Sequence, residues 1–166
     1  MSSREHHDRT LRPHSVLDWE HAVRELFEQV WSVTLGHGIR RHGARGEALA
    51  HGPLRRASVS IRGNWRGEVT LQCPEATARE FGAALFRRSP DALGEEELRS
   101  TLHELVNILG GNIKALLPGE NELSLPNDGA GPRPALPRTQ RRMYCELQLD
   151  FHGWPVTLTV EERLDE

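Results

Sequence analysis

The stretch from Gly94 to Pro126 constrains this chain more than any other. Counted at 100° per residue from Leu98, the side chains of Leu102, Leu105, Leu109, Ile113 and Leu116 fall in a stripe about 80° wide, and Val106 extends it. That periodicity predicts one long amphipathic helix over about 94–117. Pro118-Gly119 stops it, and 122–125 reads as a short strand closed by Pro126. A narrow apolar stripe of this length must lie on another element, and the rest of the chain supplies a sheet.

The clearest strand signal is at the C-terminal end. Met143, Cys145, Leu147, Leu149 and Phe151 alternate with polar residues, His152-Gly153 turns, and Trp154, Val156, Leu158 and Val160 alternate again. A second hairpin is written in Ala57, Val59 and Ile61, a turn at Gly63-Asn64, and Val69, Leu71 and Cys73. Pro74 then opens a helix carrying Ala76, Ala78, Phe81, Ala84, Leu85 and Phe86; Ala83 and Ala84 are expected to let it pack closely. A first helix is expected over Leu17–Leu35, with Asp18 as N-cap and Gly36 and Gly38 ending it. Residues 39–55 hold at most a weak edge strand, and the Pro- and Gly-rich run 127–140 reads as a long surface loop. The fold class expected is therefore α+β: a mostly antiparallel sheet of five to six strands with two or three helices packed on it. Residues 1–16 read as a disordered polar tail and 17–166 as a single domain.

Composition narrows the function classes. The chain is 37% hydrophobic and 27% charged, as in ordinary soluble domains, with a net charge of −3 that gives no basic field for nucleic acid. No apolar run approaches the roughly 20 residues of a membrane span, and the N-terminus lacks an export core, so a cytoplasmic protein is expected. The two isolated cysteines, Cys73 and Cys145, read as buried free thiols. Nine histidines occur, but none has the spacing of a zinc-binding pair, so a metal-dependent hydrolase is the weakest of the readings.

The polar side of the long helix carries the remaining chemistry. Ser100, Glu104, Asn107 and Gly111 fall roughly opposite the apolar stripe, with His103 and Lys114 flanking them. Glu104 and Asn107 are i, i+3 neighbours. Asn is a mediocre helix former, and the interior pair Gly110-Gly111 costs about 1 kcal/mol per glycine relative to Ala. Gly110 is expected to admit a neighbouring helix, and Gly111 to let another surface approach Asn107. A carboxamide both donates and accepts, so it can aim a water, but it is a poor base. It suits an electrophile that is already activated, such as an acyl phosphate. The pattern alone is equally compatible with a solvated carboxylate and a tolerated asparagine. No nucleophile–base triad and no phosphate loop is visible.

Taken together, these segments resemble the CheC–CheX–FliY phosphatases of bacterial chemotaxis, and the CheX branch in having one such helix. The matching text is 65–71, WRGEVTL; 104–114, ELVNILGGNIK; and 123–126, LSLP. The family pattern is Asp or Ser, three residues, Glu, two residues, Asn, and a later Pro; Ser100, Glu104, Asn107 and Pro126 fill it, with a shorter gap to the proline. After Pro126 the run 127–130 departs from the family, which bears on the sheet edge. The resemblance implies hydrolysis of the aspartyl phosphate on a CheY-like response regulator. Asn107 would orient the attacking water, and Glu104 would pair with the regulator's active-site lysine. It implies no cofactor of the chain's own, since the Mg²⁺ is supplied by the partner, and it implies a homodimer. The alternative within the resemblance is a non-catalytic binding module or dimeric scaffold in two-component signalling.

Overall fold

Period-two alternation becomes a five-stranded sheet in the computed structural model, which describes residues 16–36, 52–128 and 141–164. The elements in chain order are α1 (Val16–Thr34), β1 (Leu54–Gly63), β2 (Gly67–Pro74), α2 (Glu75–Phe86), a short helical turn (Pro90–Ala92), α3 (Glu95–Leu116), β3 (Asn121–Leu123), β4 (Arg141–Phe151) and β5 (Trp154–Arg163). The strand order is β3-β1-β2-β5-β4, and every neighbouring pair is antiparallel. The fold is thus α+β with five strands and three helices.

Register follows burial. Val59 faces Val69 across β1 and β2, Val69 faces Val160 across β2 and β5, and Leu147 faces Leu158 across β4 and β5. These side chains are all buried, as are Ala57, Ile61, Leu71, Cys145 and Val156. A one-residue slip would turn each row into water, so the register is strongly specified. The three helices cover this apolar face. α1 contributes Trp19, Val23, Phe27 and Trp31, with Phe27 and Trp31 stacked at 4.1 Å between ring centroids. The two-residue turn between β4 and β5 puts His152 at φ 55° and Gly153 at φ 89°, the double positive φ that matches hairpin twist. At the other hairpin, the buried Trp65 ring packs across Gly67, where a Cβ would stand 2.1 Å from the ring.

Several expectations are corrected. α1 begins at Val16, so Asp18 is not the N-cap but a first-turn acid, where it faces the positive end of the helix. In α2 the buried small residues are Ala78 and Gly82, whereas Ala83 and Ala84, expected to let the helix pack closely, are half-buried. A Cβ on Gly82 would lie 2.8 Å from both Leu93 Cδ1 and Thr101 Oγ1. β3 ends at Leu123, two residues early, because the chain bulges at Leu125-Pro126. The expectations for residues 1–15, for 39–51 and for most of the 127–140 loop lie outside the described residues. Cys73 and Cys145 are buried free thiols. Among the described residues no helix is long and apolar enough to cross a membrane.

Candidate functional site

α3 is held at both ends by local chemistry. The Glu97 carboxylate accepts the Gly94 N–H at 2.7 Å, one half of a capping box; glycine has no side chain to complete the other half. Glu95, Glu96 and Glu97 occupy the first turn and Lys114 the last, each favourable to the helix dipole. Pro118 ends the helix, and the Leu117 N–H closes the last turn on the Lys114 carbonyl at 3.1 Å.

The buried face of α3 is Leu98, Thr101, Leu102, Leu105, Val106, Leu109, Gly110 and Ile113. Leu116, expected in that stripe, is only half-buried, while the next residue, Leu117, is buried. Gly110 faces the sheet rather than a neighbouring helix: a Cβ there would come within 2.5 Å of Val59 Cγ2 and 3.3 Å of Leu123 Cδ1. The missing methyl is what lets α3 settle on β1. Gly111 has no heavy atom within 4 Å of a Cβ and borders open space.

Ser100, Glu104 and Asn107 are exposed together on the opposite face, beside the half-buried Gly111. Other polar side chains of α3 find partners. Glu95 binds Arg55 at 2.6 Å, Glu97 binds Arg88, and Arg99 reaches Asp128 Oδ2 at 3.0 Å. His103 Nε2 lies 2.6 Å from Asp128 Oδ1, and Asn112 donates to the Ile108 carbonyl at 2.8 Å. By contrast, Ser100, Glu104, Asn107 and Lys114 make no hydrogen bond or ion pair among the described residues. A carboxylate and a carboxamide therefore stand one helical turn apart, free to meet something else.

The Asp128 bridge to Arg99 and His103 escaped the sequence reading, as did the path of residues 124–128. Ser124 donates its N–H to the Ser60 carbonyl at 2.9 Å, and Asn127 exchanges N–H···O bonds with Ser58 at 2.9 and 2.8 Å. The departure after Pro126 thus still continues the sheet edge along β1. The local signal was a Ser and an Asn around a proline, but the partners lie more than 60 residues away in sequence.

The one carboxylate is not accompanied by further acids: among the described residues no group of three His, Cys, Asp or Glu side chains is placed to hold a metal ion. Catalysis by Asn107 is restricted to binding and orienting a water, since an amide takes no proton at neutral pH.

The chain matches a family model described as "Chemotaxis phosphatase CheX" over residues 56–141, just over half its length and including all of α3. No curated protein matches it. Among solved structures it is similar to a chain of the CheX–CheY–BeF3–Mg2+ complex from Borrelia burgdorferi. Identity is 16% and the TM-score 0.58, over 87% of this chain and 97% of that one. It is also similar to the chemotaxis protein CheX from Vibrio vulnificus, at 14% identity and TM-score 0.61 over 88% and 97%. A CheC-like superfamily protein from Shewanella sp. PV-4 is 12% identical with TM-score 0.58 over 89% and 98%. At these identities the likeness shows a shared fold.

Proposed function

The chain belongs to the CheX family of chemotaxis phosphatases, and on that premise we propose that it hydrolyses the aspartyl phosphate of a CheY-like response regulator. Asn107 enters the receiver's phosphorylation site and holds a water in line with the phosphorus through its amide oxygen. The water oxygen bonds to phosphorus, the bond from phosphorus to the aspartate oxygen breaks, and the aspartate leaves as a carboxylate. The proton lost by the water passes to phosphate and solvent. Glu104 pairs with the receiver's active-site lysine and fixes the docking register. Ser100 and Gly111 border the contact, Gly111 by leaving room beside Asn107.

The Mg²⁺ is the receiver's own and offsets charge on the phosphoryl oxygens; Glu104 alone is no metal site, and this chain's residues supply position only. The reading carries a homodimer and a cytoplasmic location with it, the first testable by sedimentation.

The observation that carries this reading is the freedom of Glu104 and Asn107 on a helix whose other polar groups are largely paired. Random surface polarity would leave unpaired groups scattered, whereas these two stand one turn apart with open space over Gly111. The test is phosphate release from phosphorylated receiver domains of the same organism, with and without the purified chain. Faster release from at least one receiver is expected. Release unaltered for every receiver contradicts the proposal, and binding without acceleration would favour a non-catalytic docking module.

A further inference from the structure

Leu125 is 87% exposed, the most exposed large hydrophobic side chain among the described residues. By strand alternation it belongs with Leu123, on the helix side of the sheet edge. Leu123 obeys: its Cδ1 would lie 3.3 Å from a Cβ on Gly110. Leu125 does not, and the cause is a bulge. Ser124 bonds to Ser60 and Asn127 to Ser58, so Leu125-Pro126 oppose Val59 alone. Bulges at sheet edges re-aim side chains in this way.

The bulge is firmly mounted. Besides the backbone bonds of Ser124 and Asn127, the Ser60 N–H donates to Ser124 Oγ at 2.8 Å. Beyond the bulge, Asp128 crosses to α3 and binds Arg99 and His103 at 3.0 and 2.6 Å. Leu125 is thereby held between two fixed points, Leu123 against Gly110 and Asp128 against His103. That interval of α3 is the one that carries Glu104 and Asn107. A lone exposed leucine is ordinary. One fixed on an edge braced against the helix turns that carry an unpaired polar pair has parts an interface uses, an apolar anchor and polar contacts.

We propose that Leu125 is a specificity-determining docking residue, seated in an apolar depression on the receiver beside its phosphorylated aspartate. Asp128 is a positioning residue that holds the bulge in place from α3. Both roles rest on the phosphatase reading above. The receiver is the occupant because the segment that carries Leu125 is tied on either side, at Gly110 and at His103, to the turns of α3 that carry the residues assigned to it.

The experiment measures dephosphorylation rate against concentration for a receiver that the wild-type chain dephosphorylates, with Leu125→Ala, Leu125→Met and Asn107→Ala compared. Leu125→Ala is expected to raise the half-saturating receiver concentration on the order of three- to tenfold while the saturated rate holds, since truncation removes apolar contact and touches no reacting atom. Leu125→Met restores most of the loss. Asn107→Ala shows the reverse pattern, a lower saturated rate at similar half-saturation. Direct binding to the receiver treated with beryllofluoride, a stand-in for its phosphoryl group, weakens by the same factor in Leu125→Ala. Thermal melts of Leu125→Ala and wild type coincide, because the side chain is exposed. Asp128→Asn raises half-saturation as well, by loosening the mount. If Leu125→Ala saturates as wild type does while Asn107→Ala fails, the docking role is overturned and the phosphatase reading stands. If the wild-type chain neither binds nor dephosphorylates any receiver, the phosphatase reading falls and takes the docking role with it.

Discussion

Replacing Gly110 and Gly111 by alanine, one at a time, separates packing from surface function on adjacent residues of one helix. Both changes gain about 1 kcal/mol of helix propensity, because each removes an interior glycine. Their surroundings differ. A Cβ on Gly110 would meet Val59 Cγ2 at 2.5 Å, well inside van der Waals contact. Val59 is fully buried in β1, and a β-branched side chain has little rotamer freedom to yield. Relief requires α3 to lift from the sheet, an overpacking cost of about 2–3 kcal/mol. The net for Gly110→Ala is a loss of about 1–2 kcal/mol, whereas Gly111→Ala, with open space around it, gains about 1 kcal/mol. For a domain of this size the melting temperatures should fall by about 2–8 °C and rise by about 2–4 °C respectively. Thermal melts and urea titrations of the two variants against wild type measure this. A Gly110→Ala variant as stable as Gly111→Ala would refute the close seating of α3 on β1. Gly111→Ala carries a second readout: a more stable protein with slower receiver dephosphorylation places that surface in the contact.

Three further outcomes follow from the charged and titratable groups. Burial pushes the Cys73 thiol up from 9.0 to about 12 and the Cys145 thiol from 9.0 to about 11. A folded-state value above the unfolded one gives stability that is whole below about pH 9 and is lost as pH rises toward the folded values, so the melting temperature should drop across that window. Cys73→Ala should flatten the drop, and an unchanged slope would count against the assignment. At about pH 8 both thiols should resist a thiol reagent until the protein unfolds, which absorbance during denaturant titration would follow. The Glu75 carboxyl is held below 4.5 by hydrogen bonds from Arg55 and then Arg79, against the opposing effect of burial. Its contribution is therefore present above the unfolded value and lost as pH falls through the folded one; Glu75→Gln should show a shallower acid loss of stability than wild type.

Much of the site was legible because a helix has a fixed angular step. Periodicity alone put Ser100, Glu104 and Asn107 on the face opposite Leu98, Leu105 and Leu109, and α3 exposes and buries those residues accordingly. Alternation did the same for the rows through Val59, Val69, Leu147 and Leu158. What an angle does not tell is which element stands at it. Gly110 was placed beside a helix when its neighbour is Val59 of β1. Alternation also has no means of announcing a bulge: Leu123 and Leu125 look equivalent as text, yet one packs on α3 and the other stands in solvent. The Asp128 clasp on Arg99 and His103 depends on a return of the chain to α3 after β3, and no local spacing encodes it. Which small residues of α2 turn inward is hidden for a similar reason. Ala83 and Ala84 fit the composition, but the helix azimuth turns Ala78 and Gly82 inward.

The central claim is that Asn107 performs the chemistry and Glu104 the docking, from the same exposed face. The most direct measurement is single-turnover dephosphorylation of a phosphorylated receiver by Asn107→Ala, with binding of the variant to the beryllofluoride-treated receiver measured in parallel. The account predicts a chemical step slowed by about 100-fold, the scale of losing a positioned reactant, with affinity near wild type and a melting temperature at or slightly above wild type, since alanine is the better helix former. An Asn107→Ala protein that dephosphorylates the receiver at the wild-type rate would contradict it.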